Sequence, residues 1–75
     1  MALILYQRDD CPLCDRALDV LAAARAPEFE TVWIDGEAEL EARYGARVPV
    51  LHDDARDHDL GWPFDADAVR RYLAG

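Results

Sequence analysis

The stretch Asp9-Asp10-Cys11-Pro12-Leu13-Cys14-Asp15 contains the only two cysteines of this 75-residue chain, and two residues separate them. A continuous apolar run precedes the stretch, and apolar residues at helical spacing follow it. Proline is favoured at the first position of a helix, where its missing N–H needs no partner, so Cys11 is predicted to be the N-cap residue. The sequence therefore predicts a helix over Pro12–Arg25 that begins at the cysteine pair.

The rest of the chain predicts four strands and two further helices. Apolar, β-branched and aromatic runs indicate the strands, and apolar residues at helical spacing indicate the helices. The predicted elements are, in order, a strand at Ala2–Tyr6, the helix at Pro12–Arg25, a strand at Phe29–Ile34, a helix at Glu37–Tyr44 that stops at Gly45, strands at Val48–Leu51 and Asp57–Leu60, and a last helix capped by Asp65. Phe29 and Trp33 alternate on one strand face and are predicted to lie in the core.

The order β-α-β-α-β-β-α predicts an α/β fold. The first two strands are joined by a helix and are expected to run parallel, with a right-handed crossover. The last two strands are expected to form an antiparallel hairpin. The predicted result is a four-stranded mixed sheet flanked by helices, in a single domain that covers residues 1–75.

The charge of the chain argues against several classes of partner. Sixteen acidic residues against eight basic ones give a net charge of −8 and a pI near 4.4. Nucleic acids and anionic membranes attract basic surfaces, so we expect the protein to bind neither. No apolar stretch approaches the ~20 residues that span a membrane, and the apolar start is too short for a signal peptide. We therefore expect a cytoplasmic protein, and the acidic surface favours a monomer.

The cysteine spacing favours redox chemistry. A disulfide that closes a loop over two residues stabilises a fold only weakly, so a structural role is disfavoured. A helix N-terminus favours the thiolate, which is the nucleophilic form, so we expect Cys11 to attack a disulfide and Cys14 to resolve the mixed disulfide. Asp9, Asp10 and Asp15 act in the opposite direction, because nearby carboxylates disfavour a thiolate. The activity is therefore expected to be modest.

Two other functions stay open at this point. Two soft thiolates can hold Cu(I), or half of an iron–sulfur cluster at a dimer interface, which would make the protein a metal carrier. Structural zinc needs four ligands, and His52 and His58 are predicted to be polar turn residues, so no metal is expected. The third alternative is an interaction module that keeps the fold but has no catalytic turnover.

The chain resembles the glutaredoxins at several places in register. Arg8–Cys14 is similar to the stretch Lys-x-x-Cys-Pro-Tyr-Cys of that family, with Arg8 at the basic position and Leu13 in place of the aromatic residue. Tyr44–Leu51 resembles the segment that leads to the family's cis-proline, with Arg47 in place of the usual Thr. Leu60-Gly61-Trp62 lies near the family's Gly-Gly turn, and Gly61–Phe64 resembles a small bacterial glutaredoxin-like subfamily of the thioredoxin-fold superfamily.

The resemblance implies a thioredoxin fold and a set of site residues. The catalytic residues would be Cys11 and Cys14, and the substrate-binding residues would be Arg8, Arg47, Val48, Pro49, Gly61 and Trp62. Spacing alone favours a trans bond before Pro49, whereas the resemblance implies a cis bond and a Val48 backbone that pairs with substrate. It also implies a disulfide-containing protein or glutathione as partner. Glutathione would be the reductant, with Arg8 and Arg47 facing its two carboxylates.

Overall fold

The computed structural model describes residues 3–75, so Ala2, the predicted first residue of the first strand, lies outside it. The elements are β1 (Leu3–Gln7), α1 (Pro12–Ala23), β2 (Glu30–Trp33), α2 (Ala38–Tyr44), β3 (Val50–Asp53), β4 (His58–Gly61) and α3 (Ala66–Ala74). The predicted order β-α-β-α-β-β-α is confirmed.

The four strands form one mixed sheet in the order β2-β1-β3-β4. β1 runs parallel to β2 and antiparallel to β3, and β3 runs antiparallel to β4. In this arrangement the last residues of β1, β2 and β4 lie at the same end of the sheet as the first residue of β3. The register confirms it, since Gln7 is opposite Trp33 while Val50 is opposite both Tyr6 and Gly61.

Helices cover both faces of the sheet, as the continuous apolar strands predict. On one face α1 and α3 pack over a core that contains Leu5, Leu21 and Val69. On the other face α2 packs over a smaller core, in which Tyr44 lies beside Ile34 and the ring of Tyr6 stacks on that of Tyr44 at 4.4 Å between centroids. The central strands are therefore buried from both sides.

Helix α1 ends two residues before the predicted limit at Arg25. The Arg25 N–H donates to the Ala22 carbonyl oxygen at 3.1 Å, and the Ala26 N–H donates to the Leu21 carbonyl oxygen at 3.0 Å. This pair of bonds closes the helix, with Arg25 in the left-handed conformation (φ 55°) that glycine usually supplies. The prediction for the end of α1 was wrong because no glycine marks the turn.

Gly45 ends α2 as predicted, but for a different reason. Its φ of −51° and ψ of −39° are right-handed, so the position does not require the left-handed freedom of glycine. A Cβ at Gly45 would overlap the carbonyl oxygen of Glu41. The residue is needed for this close approach.

Three predictions about the strands need correction. β3 spans Val50–Asp53 instead of Val48–Leu51, and β4 spans His58–Gly61 instead of Asp57–Leu60. Trp33 was predicted to lie in the core, yet 51% of its surface is exposed. The reason is that β2 lies at the edge of the sheet, where Trp33 is its last residue.

Among residues 3–75, no helix is long and apolar enough to cross a membrane.

Candidate functional site

Cys11 occupies the N-cap position of α1, as predicted. Its backbone is extended (φ −120°, ψ 102°), and Pro12 follows at the first helical position. The Cys11 sulfur accepts a hydrogen bond from the backbone N–H of Cys14 at 3.2 Å. The backbone carbonyl oxygen of Cys11 accepts hydrogen bonds from the N–H groups of Cys14 and Asp15, at 3.1 and 3.2 Å. The sulfur therefore takes the place of the usual Ser or Asp oxygen at a helix start, while the side chain stays half-buried.

Cys14 lies one turn later and is buried, with 1% of its surface exposed. Burial, followed by the hydrogen bond with Cys11, raises the pKa of the Cys14 thiol to about 11. Both cysteines are free thiols. The helix-cap bond thus joins the Cys11 sulfur to the Cys14 backbone, while the two sulfurs have different surroundings: one lies at the surface and one in the interior.

Arg8 lies at the end of β1, close to Cys11, and its guanidinium group is bonded within the chain. It donates two hydrogen bonds to the carboxylate of Glu41, at 2.5 and 3.0 Å, and one to the Gly45 carbonyl oxygen at 3.1 Å. The Asp35 carboxylate lies 3.6 Å away. The bond to Glu41 raises the pKa of Arg8 above its ordinary value, and the cation joins the end of β1 to α2. Its predicted contact with substrate stays a prediction.

Three carboxylates surround the start of α1. Asp9, Asp10 and Asp15 are all exposed, and no ion pair joins them to a basic side chain within the described residues 3–75. The Asp9 N–H donates to the Asp35 carboxylate at 2.8 Å, which holds the loop before the helix. Asp10 adopts a left-handed conformation (φ 53°) that Asp tolerates better than most residues. The surface beside Cys11 is therefore acidic.

The other predicted site residues lie on the β3–β4 side of the same sheet end. The Val48–Pro49 peptide bond is cis, as the resemblance implies. The Val48 N–H donates to the Tyr44 carbonyl oxygen at 3.1 Å, and the Trp62 N–H donates to the Pro49 carbonyl oxygen at 3.3 Å. A substrate that paired with the Val48 N–H would have to replace the bond to Tyr44.

Arg47 is also engaged within the chain. Its guanidinium group lies 3.3 Å from the Asp59 carboxylate and 5.6 Å from the centre of the Tyr44 ring. Asp59 in turn lies 2.6 Å from Nδ1 of His52. His52 is a buried residue of β3, so its prediction as a polar turn residue was wrong. Among residues 3–75, no group of three or more His, Cys, Asp or Glu side chains is placed to hold a metal ion.

The structure adds a groove that the sequence did not predict. It has a volume of about 350 Å³ and opens beside Cys11, between the start of α1 and the end of β2. Besides Arg8, Cys11 and the three carboxylates of Asp9, Asp10 and Asp15, the lining residues are Gln7, Pro12, Leu18, Thr31 and Trp33. The alternation in β2 places Thr31 and Trp33 on one face, but no local pattern shows that β2 is an edge strand beside the cysteines.

Of the eight predicted site residues, Arg8 and Cys11 line this groove. Cys14 lies behind the groove in the core, and the β3–β4 residues lie outside it. The sheet therefore brings the predicted residues to one end of the molecule but distributes them on two sides of Cys11.

Comparison with known proteins assigns the family. Residues 2–74 match the family model described as Glutaredoxin-like domain (DUF836). No curated protein is significantly similar to the chain.

Solved structures of similar sequence share the fold of this chain. The X-ray structure of target protein XcR50 from X. campestris is 56% identical, with a TM-score of 0.93 over 97% of this chain and 96% of that one. Its solution structure gives 57% identity and a TM-score of 0.90, over 99% and 94% of the two chains. Protein Ne2328 from Nitrosomonas europaea is 32% identical, with a TM-score of 0.79 over 95% and 88% of the chains. The chain, with its thioredoxin-like fold, therefore belongs to the glutaredoxin-like domain family (DUF836).

Proposed function

We propose that this protein is a thiol–disulfide oxidoreductase in which Cys11 attacks a disulfide and Cys14 resolves the intermediate. The observation that carries the proposal is the unequal placement of the two thiols on one helical turn. Cys11 is accessible at a helix start, whereas Cys14 is buried directly behind it. A nucleophile needs access to its substrate, but a resolving thiol needs to reach only the first cysteine.

The exchange proceeds in two steps. The Cys11 thiolate attacks one sulfur of the substrate disulfide, so that a Cys11–substrate bond forms, the substrate S–S bond breaks and the other sulfur leaves as a thiolate. The Cys14 thiol then loses its proton and attacks the Cys11 sulfur, which forms the Cys11–Cys14 disulfide and releases the second substrate sulfur. The substrate disulfide gains two electrons, and the protein dithiol is oxidised to a disulfide.

The buried environment of Cys14 suits the second step. Because burial raises the pKa of Cys14 to about 11, this thiol stays protonated at neutral pH and does not compete for the first attack. Once Cys11 is in a mixed disulfide, its helix-cap sulfur is the electrophile nearest to Cys14 in the chain. The order of the two steps then follows from burial.

The cycle needs a reductant and a partner. We propose glutathione as the reductant: two glutathione molecules, each with one thiol, would return the Cys11–Cys14 disulfide to the dithiol and become one molecule of glutathione disulfide. A disulfide-containing protein is the proposed substrate, and the cytoplasm is the proposed location because its thiol pool keeps the pair reduced. Arg8 and Arg47 are the proposed contacts for glutathione, which would have to compete with Glu41 and Asp59 for them.

Mass spectrometry of trapped intermediates tests the proposal. Reduced Cys14→Ser protein is mixed with an uncharged peptide disulfide, and Cys11→Ser protein serves as the matched control. We expect a peptide adduct on Cys11 in the first variant, none on Cys14 in the second, and loss of two hydrogens in the wild-type protein. Glutathione disulfide in place of the peptide tests the reductant.

Two results would overturn the proposal. An adduct that formed on Cys14 first would reverse the assigned roles. If the wild-type protein showed no thiol–disulfide exchange, the remaining functions would be a non-catalytic interaction module or, if the purified protein were coloured and contained iron, an iron–sulfur carrier.

A further inference from the structure

The groove beside Cys11 has two apolar walls. Thr31 and Trp33 are opposite Leu5 and Gln7 in the β1–β2 register, and Leu5 belongs to the core under α1, so both face the α1 side of the sheet. Leu18 of α1 forms the other wall. Within residues 3–75 three large hydrophobic side chains are exposed, and two of them, Trp33 (51%) and Leu18 (36%), line this groove. Apolar side chains exposed together in a concave surface indicate a binding site.

The rim of the groove is acidic. Asp9, Asp10 and Asp15 line it without an ion pair to any basic side chain of the described chain. Arg8 is the one basic residue of the lining, and its guanidinium group is bonded to Glu41 through two hydrogen bonds. The local field is therefore negative, in agreement with the net charge of −8.

One edge of the groove carries a free strand. Within residues 3–75, the order β2-β1-β3-β4 leaves strand β2 paired with β1 alone, so its outer edge has backbone groups that an extended segment can pair with. Thr31 and Trp33 belong to this strand. The groove thus combines an extended backbone edge, apolar walls and acidic groups within reach of the Cys11 sulfur.

We propose that this groove binds a cationic, extended polypeptide segment that flanks the disulfide of the substrate protein. The inference rests on the proposed exchange at Cys11 and names its substrate class. Lys or Arg side chains of the segment lie beside Asp9, Asp10 and Asp15, and an apolar side chain packs against Trp33. Glutathione has the opposite charge, with two carboxylates and one amine, so it is a poorer ligand for this groove.

Rates of mixed-disulfide formation give the first test. Reduced Cys14→Ser protein is mixed with three peptides, each carrying one cysteine in a disulfide with a neutral small thiol. The peptides differ only in two flanking residues, which are Arg, Gln or Glu. We expect the Arg peptide to react at least ~10-fold faster than the Glu peptide at low salt, and the difference to shrink as salt rises. Equal rates, or a preference for Glu, would overturn the proposal.

Charge variants show which acidic residues produce the preference for the Arg peptide over the Glu peptide. In the same background, Asp10→Asn with Asp15→Asn is expected to reduce the Arg-over-Glu preference to less than ~3-fold. The matched control is Asp19→Asn with Glu28→Gln, which removes the same charge from exposed positions outside the groove and is expected to keep the preference. If both pairs reduced it equally, the preference would come from net charge alone and the groove would not be the site.

A binding measurement separates this inference from the proposed function. Amide shifts of Cys11→Ser/Cys14→Ser protein are followed by NMR as a cysteine-free Arg peptide is added. We expect changes at residues 9–18 and 31–33. Binding there without exchange by the wild-type protein would overturn the proposed function and keep the site. Changes confined to residues 47–49 and 61–62, or no stronger binding of the Arg than of the Glu peptide, would overturn the inference.

Discussion

The regions around Cys11 and Cys14 differ sharply, although one helical turn contains both residues. The sulfur of Cys11 lies at the start of α1, beside an open groove with acidic and aromatic residues. Cys14 faces the core and is 1% exposed. An N-cap side chain points off the helix end, whereas a side chain three residues later points along the helix face toward the sheet. The same spacing thus yields one accessible sulfur and one protected sulfur.

A short chain can thus place two chemically identical thiols in environments of different polarity. Arg8, the basic residue that lines the groove together with Cys11, is bonded to Glu41. What distinguishes the two thiols is access to water, which burial removes from Cys14. Desolvation therefore distinguishes the two thiols, and three measurements test this difference.

The largest expected difference is in the rate of thiol alkylation. With a pKa raised to about 11, Cys14 is only ~10⁻⁴ thiolate at pH 7, against ~1% for an unperturbed thiol with a pKa of 9.0. We expect Cys14 in the folded, reduced protein to react with iodoacetamide at least ~100-fold more slowly than an unfolded cysteine, and more slowly than Cys11. Fragmentation of the peptide Asp9–Arg16 by mass spectrometry distinguishes the two sites.

The denatured protein is the control for alkylation, because both cysteines should then react at similar rates. Comparable rates in the folded protein would contradict the difference in burial.

The second expected difference is in stability at alkaline pH. The pKa of Cys14 is about 11 in the folded chain and about 9.0 as an unperturbed thiol, so between these values unfolding releases a proton. The stability that Cys14 contributes is therefore complete below pH 9 and is lost as pH rises toward 11. We expect the wild-type protein to lose about 2–3 kcal/mol more than Cys14→Ala between pH 8 and pH 11.

Urea unfolding with a reductant present, at both pH values, measures this loss. Burial also raises the pKa of Tyr44 and Tyr72, but both tyrosines are present in the two proteins, so their contribution cancels. A parallel pH dependence of the two proteins would mean that the Cys14 thiol is not protected from ionisation.

The smallest expected difference concerns the helix cap. Cys11→Ala removes the sulfur that accepts the Cys14 N–H and is expected to cost about 0.5–1 kcal/mol. Cys11→Ser keeps a cap acceptor and is expected to be at least as stable as the wild-type protein. Thermal unfolding of the two variants under reducing conditions gives the comparison. Equal stability of the Ala and Ser variants would show that the sulfur does not act as a cap.

The sequence predicted the position of Cys11 in the fold better than it predicted the contacts of Arg8 and Arg47. Cys11 at the N-cap follows from Pro12 and from the helical pattern after it, which are local signals. The cis bond at Val48–Pro49 followed only from family resemblance, since spacing alone favours trans. The ion pairs of Arg8 with Glu41 and of Arg47 with Asp59 join residues 33 and 12 positions apart, and no local pattern indicates such pairing.

The sequence alone predicts the order of the elements, the cysteine pair at the start of α1 and the acidic character of its surroundings. These features depend on hydrophobic periodicity, capping and composition, which act within a few residues. The folded structure is needed to show that β2 lies at the sheet edge, that Trp33 is exposed beside Cys11 and that Cys14 is desolvated. Strand neighbours and burial arise from contacts between distant segments, and the same alternating pattern serves an edge strand and a central strand equally well.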